Sequence, residues 1–191
     1  MASPITPNMG SPTFTIKVGS TDVGAKYGAK FIRVIKELNR VAYAQIVIED
    51  GDPNEEEFKI SSAKVFEPNE KVSIKFGYDH KEKEVFSGII TGQGLRVNNS
   101  KSELVVTCMD KAFQMALARK SKNFAKKKDS DVVSQIIGTY GLSKSVKATT
   151  FKHLNLVQYN CSDWDFILAR ADANAMVLIN EAGKLTIGPP V

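Results

Sequence analysis

An α+β fold, strand-rich at first and helix-containing after residue 110, is predicted by three observations. Segments between Thr13 and Met109 alternate apolar and polar residues with period two, and short turn-forming clusters punctuate them. After Asp110 the apolar spacing lengthens toward that of a helix. Capping residues then stand where helical stretches begin, and a glycine stands where one of them ends.

"TFTIKV" alternates from Phe14 to Val18. "AKFIRVIKEL" continues the pattern through Phe31, Val34 and Ile35 with one slip, and "AYAQIVIED" follows the turn-like "NR". Gly51-Asp52-Pro53 ends that strand with turn chemistry. "KVSIKFGYD" places Val72, Ile74 and Phe76 on one face. "KEVFSGIITGQGLRV" and "SELVVTCMD" are further strands joined by the polar "NNSKS". Short strands with one polar face predict an antiparallel sandwich or a small barrel. Gly88, Gly92 and Gly94 read as bulges or sharp bends. They are not a phosphate loop, because neither a Lys-Ser/Thr pair nor a helix follows them.

Beyond Asp110, "KAFQMALAR" reads as a short helix through Phe113, Met115, Ala116 and Leu117. In "KDSDVVSQIIGTYGLS", Asp129 or Ser130 can cap a helix whose stripe is Val132, Val133, Ile136, Ile137 and Tyr140, with Gly141 as its stop. In "QYNCSDWDFILARADANAM", Ser162 sits at the N-cap and Asp165 three residues later completes a capping-box-like pair. Asp163 falls in the first turn, where the helix dipole favours an acid. Trp164, Ile167, Leu168 and Ala171 share the face expected to be buried, with Trp164 as its anchor. "MVLINEAGKLTIG" closes with a hairpin turned at Glu181-Ala182-Gly183-Lys184.

Composition excludes several classes. The 191 residues suffice for one large domain or two small ones, and 42% apolar with 25% charged residues is ordinary for a globular protein. No apolar run approaches the roughly 18–20 residues that span a bilayer, so no membrane anchor is expected. The start, "MASPITPNMGSPTF", lacks the regions of a secretory signal and reads as a flexible arm over residues 1–12, which implies synthesis in the cytosol. Cys108 and Cys161 lie inside apparent core segments and are expected as buried free thiols. With only His80 and His153 and no ligand spacing, neither a zinc site nor any other metal or cofactor is expected. "DGDPNEEE", from Asp50 to Glu57, lacks the spacing of a calcium loop and reads as a solvated acidic loop.

Asp163 and Asp165 flank the single tryptophan and invite a catalytic reading. A general-acid pair needs two carboxyls converging on one pocket, whereas acids two apart at a helix start diverge. They are read as parts of a helix start, and the chain is expected not to be an enzyme. The net charge of +5 is concentrated in "RKSKNFAKKKDS". That run is read as a basic loop over residues 119–128. Lys120, Lys122, Lys126, Lys127 and Lys128 are its candidates for a subunit contact. A nucleic-acid-binding barrel using this loop is one alternative, though only Phe124 interrupts the run and nucleic acid is not the expected partner. A hydrolase fragment is another.

Taken in order, the segments from about Lys17 to Ile187 resemble the VgrG family and the related hub proteins of contractile phage tails and injection systems. "QY..SDWDF", followed by a helix and the closing hairpin, carries the most specific part of the likeness. The resemblance implies a tube-protein-like antiparallel β-barrel over residues 13–110. A small helical α/β insert domain would follow over 111–191, ending in a hairpin at the start of a second barrel. It further implies a homotrimer in the full-length protein, joining a six-fold inner tube to a three-fold spike. The implied partners are the inner tube protein, spike tip and baseplate proteins. Such a particle is assembled in a bacterial cytoplasm and delivered outside the cell or into a target. With one barrel, the chain alone is expected to be monomeric or weakly associating.

Overall fold

The computed structural model describes residues 10–50, 60–62, 64–98 and 101–190. Residues 1–9 of the expected arm, residues 51–57 of the acidic stretch, and Asn99 and Ser100 of the hairpin loop lie outside the described residues. The chain divides into two compact units, Met1–Arg33 with Gln45–Cys108, and Val34–Ala44 with Met109–Val191.

The first unit is built on β1 (Pro12–Val18), β2 (Thr21–Asp22), the short helix α1 (Val23–Tyr27), β3 (Ala29–Ile35), β4 (Tyr43–Glu49), β5 (Lys71–Tyr78), β6 (Lys81–Asn98) and β7 (Lys101–Met109). They form one seven-stranded sheet in the order β2-β1-β5-β6-β7-β4-β3, mostly antiparallel. No pairing closes it into a ring among the described residues. Period-two alternation explains the burial: Ile16 pairs with Ile74 and Val18 with Val72, and Ile74 in turn faces Phe86. All five are buried, so one face carries a continuous apolar ladder. The register shift between β5 and β6 falls at Ile74/Lys75, opposite Phe86 and Glu84. Asp50 differs from its expected solvated state. It is buried, and its carboxylate accepts the backbone N–H groups of Ile60 (3.0 Å) and Ser61 (2.6 Å).

The second unit contains β8 (Arg119–Lys128), α2 (Asp129–Thr139), β9 (Ser143–Val146), β10 (Lys152–Ser162), α3 (Asp163–Asp172), β11 (Val177–Glu181) and β12 (Lys184–Gly188). β8 and β10 make a two-stranded antiparallel ribbon, while β9 pairs parallel to β12 in a second small sheet with β11. Residues 34–44 belong to this unit through Asn39, which exchanges hydrogen bonds with the Leu178 backbone at 2.8 Å each way. The amide of Ala42 adds a bond to Asn180 Oδ1 (2.8 Å). The core gathers Met115, Phe124, Ile137, Leu156, Trp164 and Ile167, with Phe124 stacked on Phe166 at 5.9 Å between ring centroids.

One expectation is corrected here and another refined. Residues 119–128 are not a loop but strand β8, held by a partner that begins 24 residues later, with Phe124 and Leu156 opposed and both buried. A strand so rich in lysine carries no apolar alternation that could reveal it. The short helix expected in 111–119 is present over residues 111–116, but as a 3-10 helix, begun by Asp110, whose carboxylate accepts the Ala112 amide.

Candidate functional site

Three buried aspartates of the second unit sit where a helical element begins, and each is saturated by named partners. Asp110 Oδ1 accepts the Ala112 amide (2.9 Å) and Oδ2 the Gly183 amide (2.8 Å), so one carboxylate starts the 3-10 turn and fixes the β11–β12 hairpin. That hairpin turns on Ala182 and Gly183, both with positive φ.

Asp129 opens α2, but it does not cap it as expected, and neither does Ser130. The N-cap is Lys128, whose backbone N–H donates to Asp131 Oδ2 (3.4 Å). The Asp129 carboxylate is occupied instead by Arg170 Nε (2.7 Å), His153 Nε2 (2.9 Å) and Asn174 Nδ2 (3.1 Å). Burial alone would raise its pKa, but the hydrogen bonds from His153, Arg170 and Asn174 outweigh burial and hold it below the usual carboxylate range. The carboxylate thereby ties α2, α3 and β10 to one point.

Asp163 is the third. Its Oδ1 accepts from Gln158 Nε2 (2.8 Å), and its Oδ2 accepts from the Tyr140 hydroxyl (2.5 Å) and Lys120 Nζ (2.6 Å). Lys120 also donates to the Tyr140 oxygen (2.9 Å). Burial would raise the Asp163 pKa, but bonds from Lys120, Tyr140 and Gln158 bring it below normal. The bond to Asp163, then that to Tyr140, raises the Lys120 pKa. Burial, then the bond to Asp163, raises that of Tyr140. At neutral pH the cluster is therefore carboxylate, ammonium and neutral phenol. Every shift moves the group away from neutrality, the opposite of what a general acid or base needs.

Asp165 points elsewhere. It is exposed and accepts from the Ser162 hydroxyl (2.6 Å), while Ser162 Oγ accepts the Asp165 amide (3.0 Å). Ser162 is the N-cap of α3, and Trp164, Phe166, Ile167 and Ala171 are buried, with Leu168 at the margin. Replacing Ser162 by Ala is expected to cost about 1 kcal/mol, read from the midpoint of a urea transition followed by Trp164 fluorescence. A midpoint equal to wild type would show that the cap contributes nothing.

The lysines of β8 have different fates. Lys120 is committed to Asp163, Lys122 lies 5.3 Å from the Phe124 ring centroid, and Lys127 bonds Gln135. Lys126 is exposed with a left-handed backbone, φ 53°. The Cys108 thiol is buried and pushed up to about 12 by that burial, while Cys161 is half-buried; both are free. Among the described residues no cluster of His, Cys, Asp or Glu could hold a metal ion. The cavity beside Asp129 offers about 10 Å³, on the order of a single water. Sequence reasoning missed both polar clusters, because apart from Gln158, five positions before Asp163, the partners of each aspartate stand 23 to 45 positions away.

This fold is shared with solved tail proteins. The 43 kDa tail protein of prophage MuSo2 from Shewanella oneidensis superposes with a TM-score of 0.71 at 12% identity, over 93% of this chain and 53% of that one. An Escherichia coli component of the type VI secretion system, described as structurally similar to the T4 bacteriophage tail proteins gp27 and gp5, gives 0.59 at 12% identity over 90% and 48%. A Francisella PdpA–VgrG complex gives 0.58 at 11% over 94% and 31%. The chain thus spans about half or less of the length of these structures, and has the VgrG-like tail-hub fold that its sequence resembles. It belongs to the family described as the Alg8 N-terminal domain, matched over residues 8–191. No curated protein matches it.

Proposed function

We propose that the chain is a structural, non-catalytic part of a contractile injection machine, the hub that joins a six-fold inner tube to a three-fold spike. The likeness to a prophage tail protein over 93% of the chain carries this reading. The saturated carboxylates agree with it, since a part that transmits thrust needs rigid ties rather than titrating groups. On this reading the seven-stranded sheet of the first unit closes as a tube-like barrel wall in the assembled particle, which covers edges that would otherwise pair indiscriminately. The full-length protein is a homotrimer that contacts the inner tube protein, a spike tip and baseplate proteins. Delivery takes it outside the cell or into a target cell.

Light scattering and electron microscopy of the full-length protein mixed with its tube protein test the reading. Trimeric rings capping tube ends are the expected result. A monodisperse monomer that leaves tube ends bare overturns it.

A further inference from the structure

The β8–β10 ribbon is the least finished surface of the second unit. Beyond β8, no strand pairs with β10, and no backbone hydrogen bond reaches its far edge between Lys152 and Gln158 among the described residues. Leu154 is 80% exposed and Val157 58%, with Tyr159 beyond them at 79%. Native edge strands are normally blunted by charge, bulges or cover. β8 is blunted in this way by its lysines and by the left-handed Lys126. β10 lacks that protection until the bulge between Gln158 and Cys161.

Within the two strands the charged side chains are all cationic, and the neighbouring acids Asp129 and Asp163 are already engaged by His153 and Arg170 and by Lys120. β8 carries Arg119 and five lysines, β10 adds Lys152, and neither strand holds an Asp or Glu. Lys152 lies directly opposite Lys128 in the register, and neither makes an ion pair among the described residues. Like charges directly opposite destabilise a ribbon, so this pair costs the free protein stability that an incoming anion would restore.

We propose that the edge of β10 from Lys152 to Gln158 receives an extended, carboxylate-bearing segment of a partner protein as a third strand of the ribbon. The inference rests on the assembly reading above and adds the surface and its chemistry. Main-chain bonds to the open edge supply affinity, Leu154 and Val157 supply apolar contact, and acids near Lys152 and Lys128 supply specificity. Such a strand lies about 10 Å from β8, on the order of a Debye length at physiological salt. A second copy of the chain would bring another cationic ribbon to this one, so charge selects a different partner. Single-stranded nucleic acid is disfavoured by spacing, because the exposed rings of Phe151 and Tyr159 stand roughly 25 Å apart along the strand and cannot stack neighbouring bases.

The purified chain is titrated with a short peptide alternating Glu and Val, with its Lys/Val counterpart and with oligothymidylate, while amide hydrogen exchange is followed along β10. The Glu/Val peptide is expected to slow exchange between Lys152 and Gln158 and to bind at least tenfold tighter than the Lys/Val peptide. Lys152→Glu is expected to weaken that binding about tenfold while leaving the chain at least as stable, because it removes the repulsion with Lys128. Unchanged exchange, equal protection by both peptides, or protection by oligothymidylate alone overturns the proposal. Wild-type incorporation of a Lys152→Glu, Leu154→Glu variant into the native particle also overturns it and leaves the assembly reading standing. A wild-type chain that never joins a particle overturns the assembly reading instead, and the peptide titration still decides the edge.

Discussion

Asp129→Ala is expected to destabilise the second unit by about 3–5 kcal/mol, the range for removing one partner from a buried charged pair. The carboxylate is 6% exposed and receives three donors from two other elements, Arg170 and Asn174 on or beside α3 and His153 on β10. Its loss leaves the Arg170 guanidinium, 22% exposed at the side chain, facing a void without its anion. It also deletes an acid from the first turn of α2, where the helix dipole favours one. Asp129→Asn keeps the shape and one acceptor, and its expected cost is about half as large. Urea titrations followed by Trp164 fluorescence separate the two, since the single tryptophan lies in the second unit's core. A cost below about 1 kcal/mol for the alanine variant would put the tie among ordinary surface ion pairs.

Acid is expected to unfold the second unit through Asp129 and Asp163 together. Both have folded pKa values below the ordinary range, so each binds protons more weakly when folded than when unfolded. Their contribution is therefore fully present above about pH 5, and is lost as pH falls through the unfolded carboxyl value of about 3.9 to the folded ones. Lys120 and Tyr140 act on the other side. Their folded values are raised, so the stability they add persists below their unfolded values near 10 and is lost only as pH rises beyond them. Between about pH 5 and 9 these four groups leave stability flat. A double Asp129→Asn, Asp163→Asn variant should start less stable and lose less on acidification. An acid limb as steep in that variant as in wild type would assign the transition to other carboxylates.

The strands of the first sheet were legible because one of their faces is buried, which imposes the period-two signature of Ile16-Val18 and Val72-Ile74. The start of α3 was legible for a local reason too: Ser162 and Asp165 are three residues apart, within reach of one helical turn. β8 was not, since a two-stranded ribbon anchored by little more than Phe124 leaves its remaining positions free to be lysine. The role of Asp163 was half legible. Its place in a first turn follows from sequence, while its neutralisation by Lys120 and Tyr140 depends on residues 43 and 23 positions away.

By itself the chain determined where the longer strands of the first sheet, the helices α2 and α3 and the closing hairpin form, because alternation, caps and turns act over a few residues and leave their mark in order. Tertiary structure alone decided that residues 34–44 join the second unit, that three aspartates become hydrogen-bonded ties, two of them to cations, and that a basic run pairs with β10 to leave an open edge. The physical reason is range. Local signals are written between neighbours, whereas the partner that neutralises a buried charge or completes a ribbon is chosen by packing, from anywhere along the chain.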